Sequence, residues 1–473
     1  MRRGKARVAV LGAGIAGLSA AWKLAEAGAE VLVIEKSAQV GGLAGTFSWK
    51  GMGLDYGPHK IYTQDAGLRS EVLSLFSPGE LLTVPKRSRI RLMGKWFNFP
   101  VSPTELMLKM NPAVAARCAL SYAKATAKSR LAKPSEESYE AYMIHRFGRS
   151  TYRLIFGPYA KKVWGDPRKL SASLGRSRVA VPSLFDLAKR LALGDRGKPE
   201  ISAKEFYYPR KGILELSKKM AGRVRAAGGK IAFNAKVTEL HCEGGKVVRV
   251  GYSAGGKRLS FNPTHVVSTI PLADALSLIT PKPPKGVLDA AAGLRHRNLI
   301  LAVLVVGRDR AFQDNWLFFP EEKYIFNRVY EQKGFSKEMV PSGKTAICAE
   351  ITCWPSDSAW ASDSKSICSR VASGLEEAGV IRKGEVSGCG AFRATQAYPI
   401  YDSGYEGKAS SALGFTDSLQ NLYAIGRNGS FNYVGMLDCM DMGIKTAEQI
   451  IFSAGRSRWL AKRKSFENYV TVD

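Results

Sequence analysis

The segment Val8-Ala9-Val10-Leu11-Gly12-Ala13-Gly14-Ile15-Ala16-Gly17 decides the fold. It takes an apolar strand through three glycines and into a helix that we expect from Leu18 to Ala27. A second apolar strand, Glu30 to Ile34, follows and ends at Glu35. A strand, a glycine-rich turn, a helix and a strand with a terminal acid are typical of a βαβ nucleotide-binding unit.

Each part of this unit has a physical reason. Gly12 permits the tight turn, Gly14 lets the backbone approach a pyrophosphate, and Gly17 lets the helix pack closely on the strand. The helix N-terminus, with Ala16 in its first turn, then faces the phosphates. Glu35 can accept hydrogen bonds from a ribose. The alternative is a glycine-rich turn of some other α/β domain.

A second glycine cluster, Gln39-Val40-Gly41-Gly42-Leu43-Ala44-Gly45-Thr46, follows the acid directly. NAD-binding domains usually lack it. The cluster resembles that of the flavoproteins with two dinucleotide motifs, in which this segment wraps the FAD pyrophosphate. Glycines expose backbone N–H groups, which suit an anionic phosphate at close range. We therefore predict FAD as the cofactor, with contacts in this part of the chain from Glu35, Lys36, Gly41, Gly42 and Leu43.

The chain of 473 residues carries a net charge of +29 and has a pI of about 9.8. Such a field favours anionic partners such as nucleotides, diphosphates or anionic lipid. No DNA- or RNA-binding module accompanies the basic residues, so we expect no specific nucleic acid. For a single basic cluster such as Lys86 to Arg91, a solvated surface is the simpler interpretation. An anionic membrane surface and a homo-oligomer both stay open as partners.

Seven cysteines without a Cys-x-x-Cys pair suit reduced thiols, and five scattered histidines show no metal-ligand spacing. We therefore expect no metal site. The basic N-terminus is not interpreted as a signal peptide, because the apolar run that follows belongs to the nucleotide motif. No uncharged stretch reaches the ~18 residues of a spanning helix. We expect a cytoplasmic protein. The alternative is a cytoplasmic protein that binds peripherally to a membrane.

The alternation of elements is α/β at both ends of the chain, with a helix-rich stretch between. We predict an α/β fold in which a discontinuous Rossmann-like FAD-binding domain, of the two-dinucleotide-motif type, carries an inserted α+β substrate domain. The predicted FAD-binding domain comprises residues 1–75, 203–275 and 415–455. The predicted substrate domain comprises residues 76–202 and 276–414, and residues 456–473 are expected to form a basic tail.

The stretch from Pro103 to Arg130 predicts a helix that Pro112 splits. Its apolar and basic residues lie on opposite sides. Such a helix either packs against its own domain, which is the commoner case, or lies on a membrane surface.

Four blocks together are similar to the superfamily of amine oxidases, protoporphyrinogen oxidases and UDP-galactopyranose mutases. They are Gly12 to Thr46, the strand pair around Val237, Ser268-Thr269-Ile270-Pro271 and Gly426-Arg427. The resemblance spans nearly the whole chain. It implies that the Val237 backbone meets the adenine and that the segment from Gly426 to Asp438 lies beside the flavin ring and ribityl chain. The further cofactor contacts predicted in these blocks are Thr269, Met436 and Leu437.

Several segments look specifically like the mutase branch: Asp55 to Thr63, Pro158 to Trp164, Asn327 to Glu331, and Gly426 to Tyr433. By this resemblance, Arg178 and Arg328 hold a substrate diphosphate through planar guanidinium groups. Tyr159 and Trp164 belong to a helix whose tyrosine stacks on a base. The residues with implied catalytic or pocket-forming roles are His59, Arg328, Arg427 and Tyr433, the last also touching substrate. The simpler alternatives are a surface arginine for Arg178, a core histidine for His59, and core aromatics for Tyr159 and Trp164.

The leading hypothesis from this resemblance is a mutase-like enzyme that isomerises a nucleotide sugar through N5 of the reduced flavin. The alternative is an FAD-dependent oxidoreductase of the amine oxidase or protoporphyrinogen oxidase type, oxidising a sugar, an amine or a membrane-associated substrate. In a third, non-enzymatic hypothesis FAD is a structural ligand. Amine oxidases usually carry an arginine directly after the Gly-Gly pair, whereas Leu43 stands there in this chain.

Overall fold

The computed structural model describes residues 5–131, 137–179 and 204–469. Its strands are β1 Arg7–Leu11, β2 Glu30–Ile34, β3 Thr46–Trp49, β4 Met52–Asp55, β5 Leu81–Pro85, β6 Ser88–Leu92, β7 Lys95–Asn98, β8 Glu205–Pro209, β9 Lys230–Ala232, β10 Ala235–Glu243, β11 Lys246–Ala254, β12 Lys257–Phe261, β13 His265–Ser268, β14 Ile279–Thr280, β15 His296–Val306, β16 Trp316–Phe318, β17 Arg328–Glu331, β18 Thr345–Cys353, β19 Val386–Pro399 and β20 Leu422–Ala424.

The α-helices of the same residues are α1 Ile15–Glu26, α2 Ala66–Leu73, α3 Pro103–Lys109, α4 Pro112–Leu131, α5 Tyr139–Phe147, α6 Arg149–Thr151, α7 Gly157–Val163, α8 Ala172–Arg178, α9 Leu214–Ala226, α10 Leu272–Ser277, α11 Lys285–Ala292, α12 Ser358–Ala361, α13 Ser364–Glu377, α14 Tyr405–Ser418, α15 Gly426–Gly429, α16 Met436–Ile451 and α17 Arg456–Ser465. A π-helical turn, Tyr152–Phe156, joins α6 to α7.

A five-stranded parallel sheet in the order β20-β13-β1-β2-β9 forms the centre of the nucleotide-binding part. Strands β20, β13, β1 and β2 are buried on both faces, as parallel strands covered on each side should be, and the edge strand β9 is only partly buried. Val8 and Val10 of β1 face helices α1, α9 and α16. Ala9 and Leu11 face the mixed sheet β12-β11-β10-β14, in which only β10 and β14 pair in parallel. The predicted α/β class is confirmed. The strands of this sheet come from the three predicted sequence blocks, whose boundaries stay predictions.

A seven-stranded sheet in the order β19-β15-β18-β17-β16-β6-β7 forms the other large layer. Its strand β15, which lies between β19 and β18, is almost wholly buried, as the apolar run from Leu299 to Val306 requires. Helix α13 packs on one face of this sheet through Ile367, Val371 and Leu375. Arg328 at the start of β17 and Tyr398 near the end of β19 reach the site described below from this sheet.

The expected break at Pro112 is confirmed, because α3 ends at Lys109 and α4 starts at Pro112. The segment expected to be a basic tail contains helix α17, whose Trp459 is completely buried against Tyr423. Arg456 donates hydrogen bonds to the carbonyl oxygens of Thr416 and Leu422. This end of the chain therefore packs on the nucleotide-binding part.

Every helix in the described ranges falls short of the length and apolar character needed to cross a bilayer. The same ranges contain no cluster of three His, Cys, Asp or Glu side chains that could hold a metal ion. All seven cysteines are free thiols.

Gly443 allows α16 to lie directly against α1. A Cβ atom at this position would lie 2.1 Å from Ser19 Oγ and 2.3 Å from the carbonyl oxygen of Ala16. We expect Gly443→Ala to lower the free energy of unfolding by about 1–3 kcal/mol, because the two helices must separate. Urea unfolding followed by circular dichroism measures this change.

The matched control is Gly222→Ala in helix α9, where a Cβ atom would meet nothing within 4 Å. Alanine favours a helix over glycine by about 1 kcal/mol, so this variant should be as stable as the wild type or more stable. Equal stability of the Gly443→Ala variant and the wild type would contradict the close packing of α1 and α16.

Candidate functional site

The turn after β1 has the geometry that a phosphate-binding turn requires. Gly12 has a φ of +102°, and a Cβ atom there would lie 2.5 Å from Thr269 Oγ1. A Cβ atom on Gly17 would lie 2.1 Å from the Gly12 carbonyl oxygen. At Gly14, by contrast, a Cβ atom would meet nothing within 4 Å, and no side chain caps the N-terminus of α1. The amides of this helix end therefore face open space beside a closely packed turn, which fits an anionic phosphate.

Glu35 and the second glycine cluster form hydrogen bonds to the turn after β1. The buried Glu35 carboxylate accepts hydrogen bonds from Ala13 N at 2.7 Å and from Ser37 N at 2.8 Å. Gly41 N donates to the Ala13 carbonyl oxygen at 2.9 Å. The two glycine clusters are thus adjacent, so both could contact the same pyrophosphate group. The ribose contact of Glu35 stays a prediction.

The other predicted cofactor residues lie in several elements around this turn. Ala16 is buried in the first turn of α1, and a Cβ atom on Gly426 would lie 3.0 Å from its Cβ. Thr269 Oγ1 donates to the Leu11 carbonyl oxygen at 2.8 Å. Val237 is buried on β10 beside a register shift, and Lys36 is exposed.

A cavity of about 410 Å³ opens next to the predicted flavin segments. Its wall brings together residues from the loop after β4, helix α8, strand β17 and the segment before and into α16. Predicted site residues in this wall are Leu43, His59, Arg178, Arg328, Arg427, Tyr433, Met436 and Leu437. The sequence placed these residues in blocks hundreds of positions apart, and the fold joins them in one site.

Arg328 is held by an acid that the sequence did not reveal. Glu350 lies directly opposite Arg328 across the β17–β18 ladder and is completely buried. Arg328 Nη2 donates to the two Glu350 oxygens at 2.9 and 2.8 Å, and Nε donates at 3.1 Å. This two-point pairing orients the guanidinium group at the cavity wall and offsets part of its charge.

Arg178 lies over the ring of Tyr433, with its guanidinium carbon 4.3 Å from the ring centroid. Tyr433 is itself fixed, because its amide donates to Tyr401 Oη at 2.8 Å and its hydroxyl accepts from Trp164 Nε1 at 3.3 Å. A guanidinium group over a tyrosine face is attracted by the ring quadrupole. The pair therefore presents a cation at a defined place in the cavity.

Trp164 and Tyr159 are not part of the cavity wall. Trp164 is buried behind Tyr433, and Tyr159 packs edge-on against Trp164 and Phe318. Both side chains thus support the wall from behind in this structure. The stacking role that the resemblance implied for them stays untested.

Arg427 makes its contacts with the backbone. Its Nη2 and Nε donate to the Val434 carbonyl oxygen at 2.7 and 3.0 Å, and Nη1 donates to the Ala397 carbonyl oxygen at 3.2 Å. These bonds tie the loop before α16 to the end of β19. Arg427 therefore shapes the cavity and contributes positive charge to it.

His59 is neutral near pH 7. Burial is the main reason why its pKa falls to about 3, and the nearby charges of Arg427 and Arg328 lower it further. Its Nδ1 atom is buried and has no hydrogen-bond partner among the described residues. The cavity thus contains an uncharged imidazole between two cations.

Several wall residues escaped the sequence interpretation, among them Asp65, Tyr398, Asp441, Lys445 and Tyr469. Asp441 accepts hydrogen bonds from Lys445 Nζ and from the Tyr469 hydroxyl. Tyr469 belongs to the segment that was expected to be a tail. In the sequence Tyr469 is only an aromatic residue close to Phe466, and this pattern does not indicate a site.

A buried polar cluster supports the loop that carries His59. The Asp55 carboxylate accepts hydrogen bonds from Thr46 Oγ1 and Tyr208 Oη, both at 2.5 Å. Gln332 Oε1 accepts from the Asp55 amide at 3.2 Å. Burial raises the pKa of Asp55 to about 6, although these hydrogen bonds oppose the shift.

Residues 15–345 match the family model of the flavin containing amine oxidoreductases, which is well over half of the chain. The chain belongs to this family. The family predicted from the sequence is confirmed, and the protein is a flavin-dependent enzyme.

Solved structures in the same superfamily have the same fold. A reduced UDP-galactopyranose mutase aligns with a TM-score of 0.82 at 19% identity, covering 99% of this chain and 100% of that chain. A putative protoporphyrinogen oxidase from Exiguobacterium sp. aligns with a TM-score of 0.73 at 16% identity, covering 95% and 99%. A putrescine oxidase variant aligns with a TM-score of 0.65 at 16% identity, covering 95% and 99%.

A shorter likeness connects the chain with the curated all-trans-retinol 13,14-reductases. The Macaca fascicularis protein is 38% identical over 90 residues, and the human protein is 37% identical over 90 residues. Each match covers 19% of this chain and 15% of the reductase. The likeness is therefore confined to a small part of those proteins.

The raised pKa of Asp55 predicts a stability that depends on pH. The folded state retains the proton up to about pH 6, whereas the unfolded chain releases it near 3.8. The contribution to stability is therefore complete below pH 3.8 and is lost as the pH rises through 6, by an amount on the order of 3 kcal/mol. We expect Asp55→Asn to remove this decrease.

Urea unfolding of the wild type and the Asp55→Asn variant between pH 4.5 and 7 measures the difference. Tyr208→Phe is the companion variant, because it keeps the carboxyl group but removes one hydrogen-bond donor to it. A wild-type profile that stays parallel to that of Asp55→Asn across this range would contradict the raised pKa.

Proposed function

We propose that the protein binds FAD and isomerises a nucleotide sugar in the manner of a UDP-galactopyranose mutase. The observation that carries this proposal is the charge of the cavity wall. The wall contains five cationic and three acidic side chains. The cations are Lys60, Arg178, Arg328, Arg427 and Lys445, and the acids are Asp65, Asp438 and Asp441. Such a wall favours a substrate with a diphosphate group.

An ammonium substrate fits this cavity poorly. The cations would repel it, and the aromatic pair at the wall offers no slot for it. The ring centroids of Tyr398 and Tyr433 are 5.5 Å apart. A group held between two rings needs a separation of roughly 7 Å, since each contact takes about 3.5 Å. The charge and this spacing together favour an anion over an amine.

The cofactor cradle supports FAD as the flavin. The two adjacent glycine clusters and the uncapped N-terminus of α1 suit a dinucleotide pyrophosphate, and FAD contains one. Gly12, Gly14, Gly41 and Gly42 would hold that group through their backbone. FAD in its reduced form would supply an electron-rich partner for the anomeric carbon, with no net oxidation of the sugar.

The residues of the cavity would position the substrate. Arg178 and Arg328 would hold the diphosphate while its bond to the sugar is broken and formed again, so that the nucleotide stays beside the sugar. His59 is neutral and would donate or accept one hydrogen bond without attracting the diphosphate away from the arginines. The structural likeness to a reduced UDP-galactopyranose mutase over the full length of both chains is consistent with this proposal.

The second candidate is an FAD-dependent oxidoreductase that oxidises a sugar, an amine or a membrane-associated substrate. The observation in its favour is the Arg328–Glu350 pair. Because Glu350 occupies the guanidinium fork, Arg328 has less capacity for a diphosphate. This function requires an electron acceptor, whereas isomerisation does not.

Titration of UDP into the dithionite-reduced protein tests the diphosphate site. We expect a saturable change in the flavin spectrum that is weakened at least about tenfold by Arg178→Ala, since hydrogen bonds to a charged group are lost. Arg328→Lys should weaken it similarly, because lysine cannot form the fork. Lysine is preferred to alanine here because Arg328→Ala would leave the buried Glu350 without a counter-charge.

The control is Arg370→Ala, an exposed arginine of α13 that removes the same charge at a distance from the cavity. Wild-type UDP affinity in both cavity variants would exclude Arg178 and Arg328 as diphosphate ligands. Turnover of UDP-galactopyranose by the reduced enzyme, followed by chromatography, then separates the two candidates. Flavin reduction by a substrate, followed by reoxidation with an acceptor, would favour the oxidoreductase.

A further inference from the structure

We propose that helices α3 and α4 dock the protein on the surface of an anionic phospholipid membrane. This inference concerns a surface outside the flavin cavity and does not depend on the proposed substrate. It rests on the exposed side chains of these helices, on their charge and on the way they are fixed to the rest of the protein.

Both helices expose apolar side chains. Leu108 in α3 is 86% exposed and Leu120 in α4 is 64% exposed. Along α4 the exposed residues Ala113, Ala116, Leu120, Ala123 and Ala127 recur at spacings of three and four. Residues with these spacings lie on one side of a helix. A continuous apolar line therefore faces outwards along α4.

Cations border this line on one side. Arg117, Lys124 and Lys128 are exposed and follow one another at spacings of seven and four. Residues 106–131 contain no Asp or Glu. Long basic side chains beside an apolar strip suit a membrane interface, where they reach lipid phosphates while the apolar groups enter the boundary of the acyl chains.

The opposite face of α4 packs on the rest of the protein. These contacts determine which face of α4 is exposed. Ala125 is buried, and Ser121 Oγ accepts a hydrogen bond from Ser150 N at 3.1 Å. A Cβ atom on Gly148 would lie 2.5 Å from the Ser121 carbonyl oxygen, so the backbones are in close contact. The helix cannot turn its apolar line inwards without losing these contacts.

The charge of the whole chain favours a negatively charged surface as the occupant. The net charge of +29 attracts anionic lipid over a range set by the ionic strength. Residues 106–131 contribute no acid to this surface, and Glu137 and Glu140 of the following segment line a cleft beside Lys124 and Lys128. A second copy of this chain would carry the same positive charge on the same face, so the charge disfavours pairing of two such faces.

Co-sedimentation of the flavin-loaded protein with vesicles tests the docking surface. We expect binding to vesicles of equal parts phosphatidylglycerol and phosphatidylcholine, and weak binding to phosphatidylcholine alone. The triple variant R117E/K124E/K128E should bind the anionic vesicles roughly a hundredfold more weakly, since each cation near such a surface contributes about fivefold. Binding by the wild type should weaken as salt is added.

The matched control is K365E/R370E/K383E, which changes the net charge equally through exposed residues on and just after α13. Its binding should stay close to that of the wild type. The double variant L108D/L120D should lose the binding that remains at high salt. Flavin content and thermal unfolding of each variant verify that the fold is retained.

Several outcomes would overturn the proposal. The wild type would not bind anionic vesicles, or the R117E/K124E/K128E variant would bind them as well as the wild type does. An equal loss of binding in the K365E/R370E/K383E control would mean that net charge alone is responsible. A change of oligomeric state on size-exclusion chromatography caused by L108D/L120D, without any vesicle binding, would assign the face to contacts between copies of the chain.

Discussion

The close packing of helix α1 between the turn after β1 and helix α16 is the constraint on which the site depends. Gly17 meets the Gly12 carbonyl, and Gly443 meets Ser19 and the Ala16 carbonyl, at distances that no side chain would allow. Because α1 is held there, its N-terminal amides point to the same place as the second glycine cluster. The start of α16 lies in the wall of the adjoining cavity. One set of backbone contacts thus aligns the cofactor cradle with the substrate cavity.

The cations of the cavity are positioned before any ligand arrives. Arg328 is held by Glu350, Arg427 by backbone carbonyls, and Arg178 by the face of Tyr433. Each partner restricts the side chain, so less conformational entropy is lost when an anion binds. Burial is the main cause of the low pKa of His59, and the charges of Arg427 and Arg328 lower it further, so this side chain stays neutral. The electrostatic character of the cavity therefore arises from a preorganised frame.

Sequence reasoning succeeded where the physical signal is local. The glycines of the β1 turn, the acid at the end of β2 and the break at Pro112 each follow from the backbone preferences of a few adjacent residues. It missed Glu350 and Tyr398, because both lie on strands, β18 and β19, that reach the site only through pairing with strands far away in the chain.

The segment from Pro158 to Trp164 shows what the packing adds to a sequence resemblance. Trp164 Nε1 donates to the Tyr433 hydroxyl and Tyr159 packs edge-on against Trp164, and neither ring is part of the cavity wall. The stacking role that the resemblance implied for them stays a prediction. The segment expected to be a basic tail contains a packed helix, because Trp459 is completely buried and Arg456 and Arg463 both pair with Asp417. Which face of a helix is buried is decided by its neighbours in space.

The sequence by itself determined the βαβ unit, its glycine-rich cradle, the flavin family and the strongly basic character of the chain. These are properties of local backbone conformation, of spacing and of composition, and they can be read one segment at a time. Only the tertiary structure decided which of the 70 basic residues line the cavity, which acid restrains Arg328, and which side of α4 faces outwards. Those features depend on contacts between residues that are far apart in the chain, so no local pattern specifies them.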